Sequence, residues 1–206
     1  MLEELPLADA TVQFDRHWLS PAQADALFDA LRPAIDWEVH RIRLFGRLVD
    51  SPRLSSWIGD PGASYVYSGA RFEPRPWPVP LLALRERVGA VAGERFNSVL
   101  ANLYRDGRDA MGWHSDDETE LGPRPVIASL SLGATRRFVF KHRREPGRKL
   151  VLELPHGSLL LMRGDTQSNY RHALPRTARP LGPRINLTFR RIHAEAAASG
   201  PGRPRR

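Results

Sequence analysis

The sequence predicts a mostly β protein with flanking helices, and three observations carry that expectation. From residue 96 onward, segments 98–104, 126–132, 136–141, 149–154, 158–162, 168–174 and 184–192 are short and rich in Val, Ile, Leu and Phe, with Gly, Pro or charged turns between them. No helical pattern interrupts the series, so it predicts a sandwich or barrel. The residues before 96 carry two helix patterns instead. The expected organisation is one integrated domain, with an N-terminal extension over residues 1–95, a β core over 96–193 and a disordered basic tail over 194–206.

Each N-terminal element has a local cause. Ser20-Pro21 starts a helix, because Ser can cap orphan amides and Pro suits the first helical position. Ala22, Ala26, Leu27, Ala30 and Leu31 follow at helical spacing, and Pro33 is expected to close the segment. Residues 37–45, WEVHRIRLF, alternate as a strand, and residues 46–64 lack a period and predict a long loop. A short strand is expected over 64–68. Pro74, Pro76, Pro78 and Pro80 predict an extended lead into a helix from Leu81 to Ala92.

Composition excludes several classes. The chain has 206 residues, 41% of them hydrophobic, enough for a single packed core. There is no apolar run long enough to span a membrane, and the acidic opening MLEELPLADATVQF does not resemble a secretory signal, so a cytoplasmic monomer is expected. Cysteine is absent, which rules out disulfides and Cys-based zinc or iron–sulfur sites. With 31 basic against 23 acidic residues the net charge is +8, and Lys occurs only at Lys141 and Lys149. Such a balance suits a polyanion partner, although an Arg-rich, Pro- and Ala-rich composition is also what a GC-rich genome encodes.

Two patterns carry chemistry. In Trp113-His114-Ser115-Asp116-Asp117-Glu118, His114 and Asp116 stand two residues apart. On a strand or its exit loop such residues point the same way and can take adjacent positions on one metal. His172 is the third candidate ligand, and two His with one carboxylate form the facial triad of non-haem iron enzymes, which leaves positions open for a cosubstrate and O2. Zinc accepts the same ligands, and a His-x-Asp pair also arises by chance. His40, His142, His156 and His193 have no carboxylate at fitting spacing and are read as surface or structural. In the last strand, Arg184, Asn186, Thr188 and Arg190 share one face, and Ile185, Leu187 and Phe189 the other. Unpaired buried Arg is costly. The face therefore suits a bound dicarboxylate, held by guanidinium forks, the alternative being an ordinary solvated face.

Together these patterns resemble the AlkB family of Fe(II)- and 2-oxoglutarate-dependent dioxygenases. The resemblance runs through most of residues 37–192. It is densest in Asn102-Leu103-Tyr104-Arg105, the WHSDDE segment 113–118, Ile127–Ala134, His156–Leu160 and Pro183–Arg190, and is closer to the animal-type branch than to the founding bacterial enzyme. It implies a double-stranded β-helix (jelly-roll) core with an N-terminal nucleotide-recognition lid. It also implies Fe(II) on His114, Asp116 and His172, with O2 as cosubstrate. The second cosubstrate, 2-oxoglutarate, would be bound by Asn102, Tyr104, Arg184, Asn186, Thr188 and Arg190.

The implied activity is oxidative dealkylation of 1-methyladenine- and 3-methylcytosine-type bases in DNA, single strands above all, by direct reversal. Related oxygenases acting on RNA, protein or a small molecule, and a non-catalytic nucleic-acid-binding module, are the alternatives. Asp117 and Glu118 would face the cationic base, the alternative being a solvated acidic loop. Phe45, Gly46 and Arg47, with Tyr65 and Tyr67, resemble lid segments; Tyr67 is the preferred stacking platform, although a core role fits each aromatic as well. Arg47, Arg53 and Arg71 are candidate phosphate contacts, and so is the basic hairpin Phe140–Arg144, the alternative there being a solvated turn.

Overall fold

The computed structural model describes residues 1–44, 47–67 and 70–193, with only the backbone for 42–44, 47–48, 65–67 and 70–72. Phe45, Gly46 and the expected tail over 194–206 lie outside the described residues.

Two antiparallel sheets form the core. The major sheet joins β1 (Glu3–Glu4), β2 (Thr11–Asp15), β5 (Leu54–Gly59), β8 (Ser98–Tyr104), β10 (Ile127–Gly133), β13 (Ser158–Arg163) and β15 (Arg184–Arg190). Its spatial order is β1-β2-β13-β10-β15-β8-β5. The minor sheet runs β12-β11-β14-β9, from β9 (Met111–His114), β11 (Arg136–His142), β12 (Lys149–Leu154) and β14 (Tyr170–Leu174). Two ribbons stand apart: β3 (Arg41–Leu44) with β4 (Arg47–Asp50), and β6 (Tyr65–Tyr67) with β7 (Ala70–Phe72). Non-sequential neighbours in both sheets are the crossovers of a jelly roll.

Strand alternation divides the interior in two. On one face of the major sheet, Ala128, Leu130, Leu132, Leu159, Leu161, Ile185, Leu187 and Phe189 pack under α1 (Pro21–Ala34) and α2 (Val79–Ala92), which contribute Ala24, Leu31, Leu81, Leu84, Val88 and Ala92. On the other, Ile127, Leu160 and Met162 meet Phe138, Phe140, Leu154, Tyr170 and Leu174 of the minor sheet. The polar residues of β15 thus point between the sheets, into the place where a site can be enclosed.

Local signals explain the element ends. Ser20 and Gln23 form a capping box on α1, and Gly93, with φ 59°, takes the left-handed turn that ends α2. Pro33 lies inside α1 instead of closing it: the helix continues to Ala34, and the Ile35 amide closes on Leu31 O at 3.2 Å. The loop expected over 46–64 instead contains β4 and β5. Leu54-Ser55-Ser56-Trp57 hides its strand character because Ser55 and Ser56 are buried, polar and paired with β8. Likewise β14 starts at Tyr170 and not 168, because Thr166–Asn169 forms a helical turn, α3. Among the described residues no helix is long and apolar enough to cross a membrane.

Candidate active site

β15 is buried along its whole length and hydrogen-bonded on both sides. Across from its inner face, Tyr104 pairs with Arg184, Asn102 with Asn186 and Leu100 with Thr188 on β8. On β10, Ser131 pairs with Asn186 and Ser129 with Thr188. Asn186 Nδ2 donates to Ser129 Oγ at 2.8 Å, and Thr188 Oγ1 donates to Asn186 Oδ1 at 3.2 Å. All four expected inner-face residues line one cavity with Asn102, Tyr104, His114, Asp116 and His172.

Arg184 is 1% exposed. One nitrogen, Nη2, donates to Ser131 Oγ at 2.8 Å, and the guanidinium carbon lies 5.2 Å from the Tyr104 ring centroid. Nε and Nη1 are buried with no hydrogen-bond partner among the described residues. Burial in particular pulls the guanidinium down to about 10. A buried cation with two donor nitrogens unused is the complement of a carboxylate, and a 2-oxoglutarate carboxylate fits it by chemistry and charge.

The expected metal ligands meet at the other wall. His114 ends β9, His172 is its direct cross-strand partner in β14, and their ring centroids are 4.3 Å apart. Asp116 follows β9 and is held by its backbone amide, which donates to Gln167 Oε1 at 2.9 Å. One ligand atom from each of His114, Asp116 and His172 lies within 4.8 Å of the others. His114 Nδ1 lies 2.9 Å from Gly112 O. A carbonyl only accepts, so Nδ1 carries the proton and Nε2 keeps its lone pair for a metal.

Burial, with His114 adding to it, pushes the His172 imidazole down to about 3, and burial also lowers His114. Burial alone would raise the Asp116 carboxyl, but Arg190 above all, then the two imidazoles, hold it at about 2. At neutral pH the set is two neutral imidazoles and one carboxylate, the protonation state that a divalent metal requires. The donor set fits Fe(II).

The proposed base-facing residues are differently placed. Asp117 is half exposed and paired with Arg143, whose Nη2 also donates to Ser115 Oγ at 2.7 Å. Glu118 precedes the short turn Thr119–Leu121, and one of its carboxylate oxygens is shielded from solvent. Arg47, Tyr65 and Tyr67 fall in β4 and β6, but their side chains lie outside the described residues, as does that of Arg71; Phe45 and Gly46 lie outside them altogether. Arg53 is a correction: it is 5% exposed and donates to Asn102, so it is not a surface phosphate contact.

His142 and His156 are structural. His142 Nδ1 accepts from the Glu145 amide at 3.0 Å, and His156 Nδ1 from the Gly133 amide at 2.7 Å. Asp9, His142 and Glu145 also cluster, but Arg148 already occupies that place, 3.1 Å from Asp9 and 2.8 Å from Glu145. Sequence reasoning missed Gln167, and it read Arg143 and Arg53 as phosphate contacts where the structure pairs them with Asp117 and Asn102. Their partners are dozens of residues away, and no local pattern announces them.

Comparison with known proteins agrees with this geometry. Residues 11–190 match the 2OG-Fe(II) oxygenase superfamily. The chain is 40% identical over 194 residues to the DNA oxidative demethylase ALKBH2 of Mus musculus, covering 89% of this chain and 79% of that protein. It is 41% identical over 181 residues to the ALKBH2 of Homo sapiens, covering 83% and 69%. It is 37% identical over 182 residues to alpha-ketoglutarate-dependent dioxygenase alkB homolog 3 of Homo sapiens, covering 84% and 63%. The solved structure of OsALKBH1 shares the fold, with a TM-score of 0.63 at 16% identity over 93% of this chain and all of that one. The chain therefore belongs to the 2OG-Fe(II) oxygenase superfamily, in its AlkB branch, and is a dioxygenase that uses Fe(II), 2-oxoglutarate and O2.

Proposed function

We propose that this dioxygenase removes alkyl groups from N-alkylated bases of the 1-methyladenine and 3-methylcytosine type in DNA, reversing the damage directly. The observation that carries the reading is one cavity with a His–Asp–His cluster on one wall and the buried, incompletely bonded Arg184 on the other. Relatives named DNA oxidative demethylase supply the substrate class. Single-stranded DNA is the preferred substrate, acted on by a cytoplasmic monomer.

When bound, the iron with its two cosubstrates supplies the oxidation: 2-oxoglutarate is decarboxylated to succinate, and the N-alkyl carbon is hydroxylated and leaves as an aldehyde. The chain's own residues do the positioning. His114, Asp116 and His172 hold the metal. Arg184 and Arg190 neutralise the cosubstrate's carboxylates, while Asn102, Tyr104, Asn186 and Thr188 complete its contacts. Arg190 also fixes Asp116, so one side chain aligns cosubstrate and ligand. The ribbons β3–β4 and β6–β7 carry the lid role in this reading, and Phe45, Gly46, Arg47, Tyr65 and Tyr67 keep the base-recognition role that the family resemblance implies. Asp117 and Glu118 favour a cationic base over a neutral one.

The test is succinate formation with single-stranded oligonucleotides carrying 1-methyladenine, their RNA counterparts and unmodified controls. Stimulation by the methylated DNA is expected. Stimulation by RNA alone would move the substrate to RNA, and no stimulation by any oligonucleotide would overturn the reading.

A further inference from the structure

Arg53 follows β4 and enters β5, yet its side chain turns inward and is 5% exposed. Its Nε donates to Asn102 Oδ1 at 2.7 Å and its Nη1 to Ser51 Oγ at 2.9 Å. The backbone around it is tied on both sides. The Ser51 amide donates to His40 O at 2.8 Å, and the Ala110 amide to Pro52 O at 3.0 Å. Among the described residues no ion pair joins Arg53 to a carboxylate. Burying a guanidinium on neutral partners is costly, and core packing alone would be served as well by an apolar side chain. The expense has a reason if the guanidinium has a task at Asn102.

The chemistry of the two groups defines that task. A guanidinium has donors only, whereas an Asn amide offers an oxygen at one end and an NH2 at the other. The end of Asn102 that meets Arg53 is therefore Oδ1, and Nδ2 is left for the other direction. Asn102 is 3% exposed, stands opposite Asn186 and lines the cavity with Thr188 and Arg190. Among the described residues no other hydrogen bond chooses between the two amide orientations. Only one of them presents donors to a carboxylate.

We propose that Arg53 is a positioning residue for 2-oxoglutarate, locking the Asn102 amide with its NH2 toward the cosubstrate. The inference rests on the contact between Asn102 and 2-oxoglutarate proposed above. It also links the base of the β3–β4 ribbon to the cosubstrate wall, because the same guanidinium binds Ser51.

Calorimetric titration of 2-oxoglutarate into the Fe(II)-loaded protein without oxygen tests it, since binding is read with no turnover. Arg53→Met is expected to raise the Kd about tenfold, the scale of one lost hydrogen bond to a charged group. Arg53→Lys should retain most of the affinity, because an ammonium can still donate to Oδ1. Adding Arg53→Met to Asn102→Ala should weaken binding no further than Asn102→Ala does alone. A merely structural role would reduce the fraction of protein that binds and leave the Kd of that fraction unchanged. If Asn102→Ala weakens binding and Arg53→Met does not, Asn102 keeps its role and the inference falls. Additive losses in the double variant overturn it too. Wild-type affinity in Asn102→Ala would overturn both. If Arg53→Met does not fold, the cycle runs with Arg53→Lys: a small loss that vanishes in the Asn102→Ala background supports the proposal, and equal losses in both backgrounds refute it.

Discussion

Arg190, at the end of β15, donates a hydrogen bond to Oδ1 of Asp116, and both side chains are buried. The strand proposed to turn its cationic face to the cosubstrate thus also grips a proposed metal ligand. Arg184, at the strand's other end, makes no such contact and donates to Ser131 instead. The two arginines are therefore separable. Arg190→Met is expected to weaken both Fe(II) and 2-oxoglutarate binding, the metal by about 10- to 100-fold, as for other partners that orient a ligand. Arg184→Met should weaken 2-oxoglutarate alone. Metal and cosubstrate titrations on the two variants decide the matter, and equal metal loss in both would contradict it.

His114→Ala, Asp116→Ala and His172→Ala should each abolish succinate formation while preserving the far-ultraviolet circular dichroism. The ligand positions lie at a strand end, in a loop and on one inner strand face, so truncation removes a donor without removing an element. Near wild-type turnover in any one variant, with iron added, would remove that residue from the metal set.

The metal-free protein should lose stability as pH falls below about 6.5. Unfolded, His172 takes up a proton in that range; folded, it resists until about 3, because burial and His114 disfavour the cation. Between those values the unfolded state binds more protons, so acid favours unfolding. At pH 5 the deficit from His172 is about 2 kcal/mol, and His114, lowered in the same direction, adds to it. Asp116 contributes its own loss only below about pH 4, since its carboxyl is held at about 2. Urea denaturation in the presence of a chelator at pH 7.5 and pH 5 measures the difference. Equal stability at the two would show that the imidazoles are not buried as described.

Glu118→Gln and Asp117→Asn remove charge and keep shape. Opposite charges about 4 Å apart are worth roughly 4 kcal/mol at an effective dielectric of 20, and desolvation takes back part of it. A selective loss of about one to two orders of magnitude in kcat/KM on a cationic lesion, relative to a neutral etheno adduct, is the expected result. Asp117 already pairs with Arg143, so its share depends on that guanidinium yielding. Identical slowing of both lesions in both variants would leave the acids as a solvated loop.

Much of this was legible in the chain because alternation is a local signal. Arg184, Asn186, Thr188 and Arg190 could be placed on one face from spacing alone, and the sheet pairing then brings them opposite Asn102 and Tyr104. β2 and β5 were not legible: one is a short strand with mixed side chains, and the other buries serines. The ordering of Asp116 by Gln167 and of Asn102 by Arg53 joins residues 51 and 49 positions apart. Such contacts depend on tertiary closure, which no window of sequence contains.

β15 has a practical consequence for protein engineering. Its alternate side chains answer to two separate constraints, the helix-covered core for Ile185, Leu187 and Phe189 and the cavity for the other four. A randomised library confined to Asn186 and Thr188 would vary cosubstrate recognition, or admit other keto acids, while leaving the apolar side of the strand intact. A library spread over the whole heptapeptide would yield mostly insoluble protein.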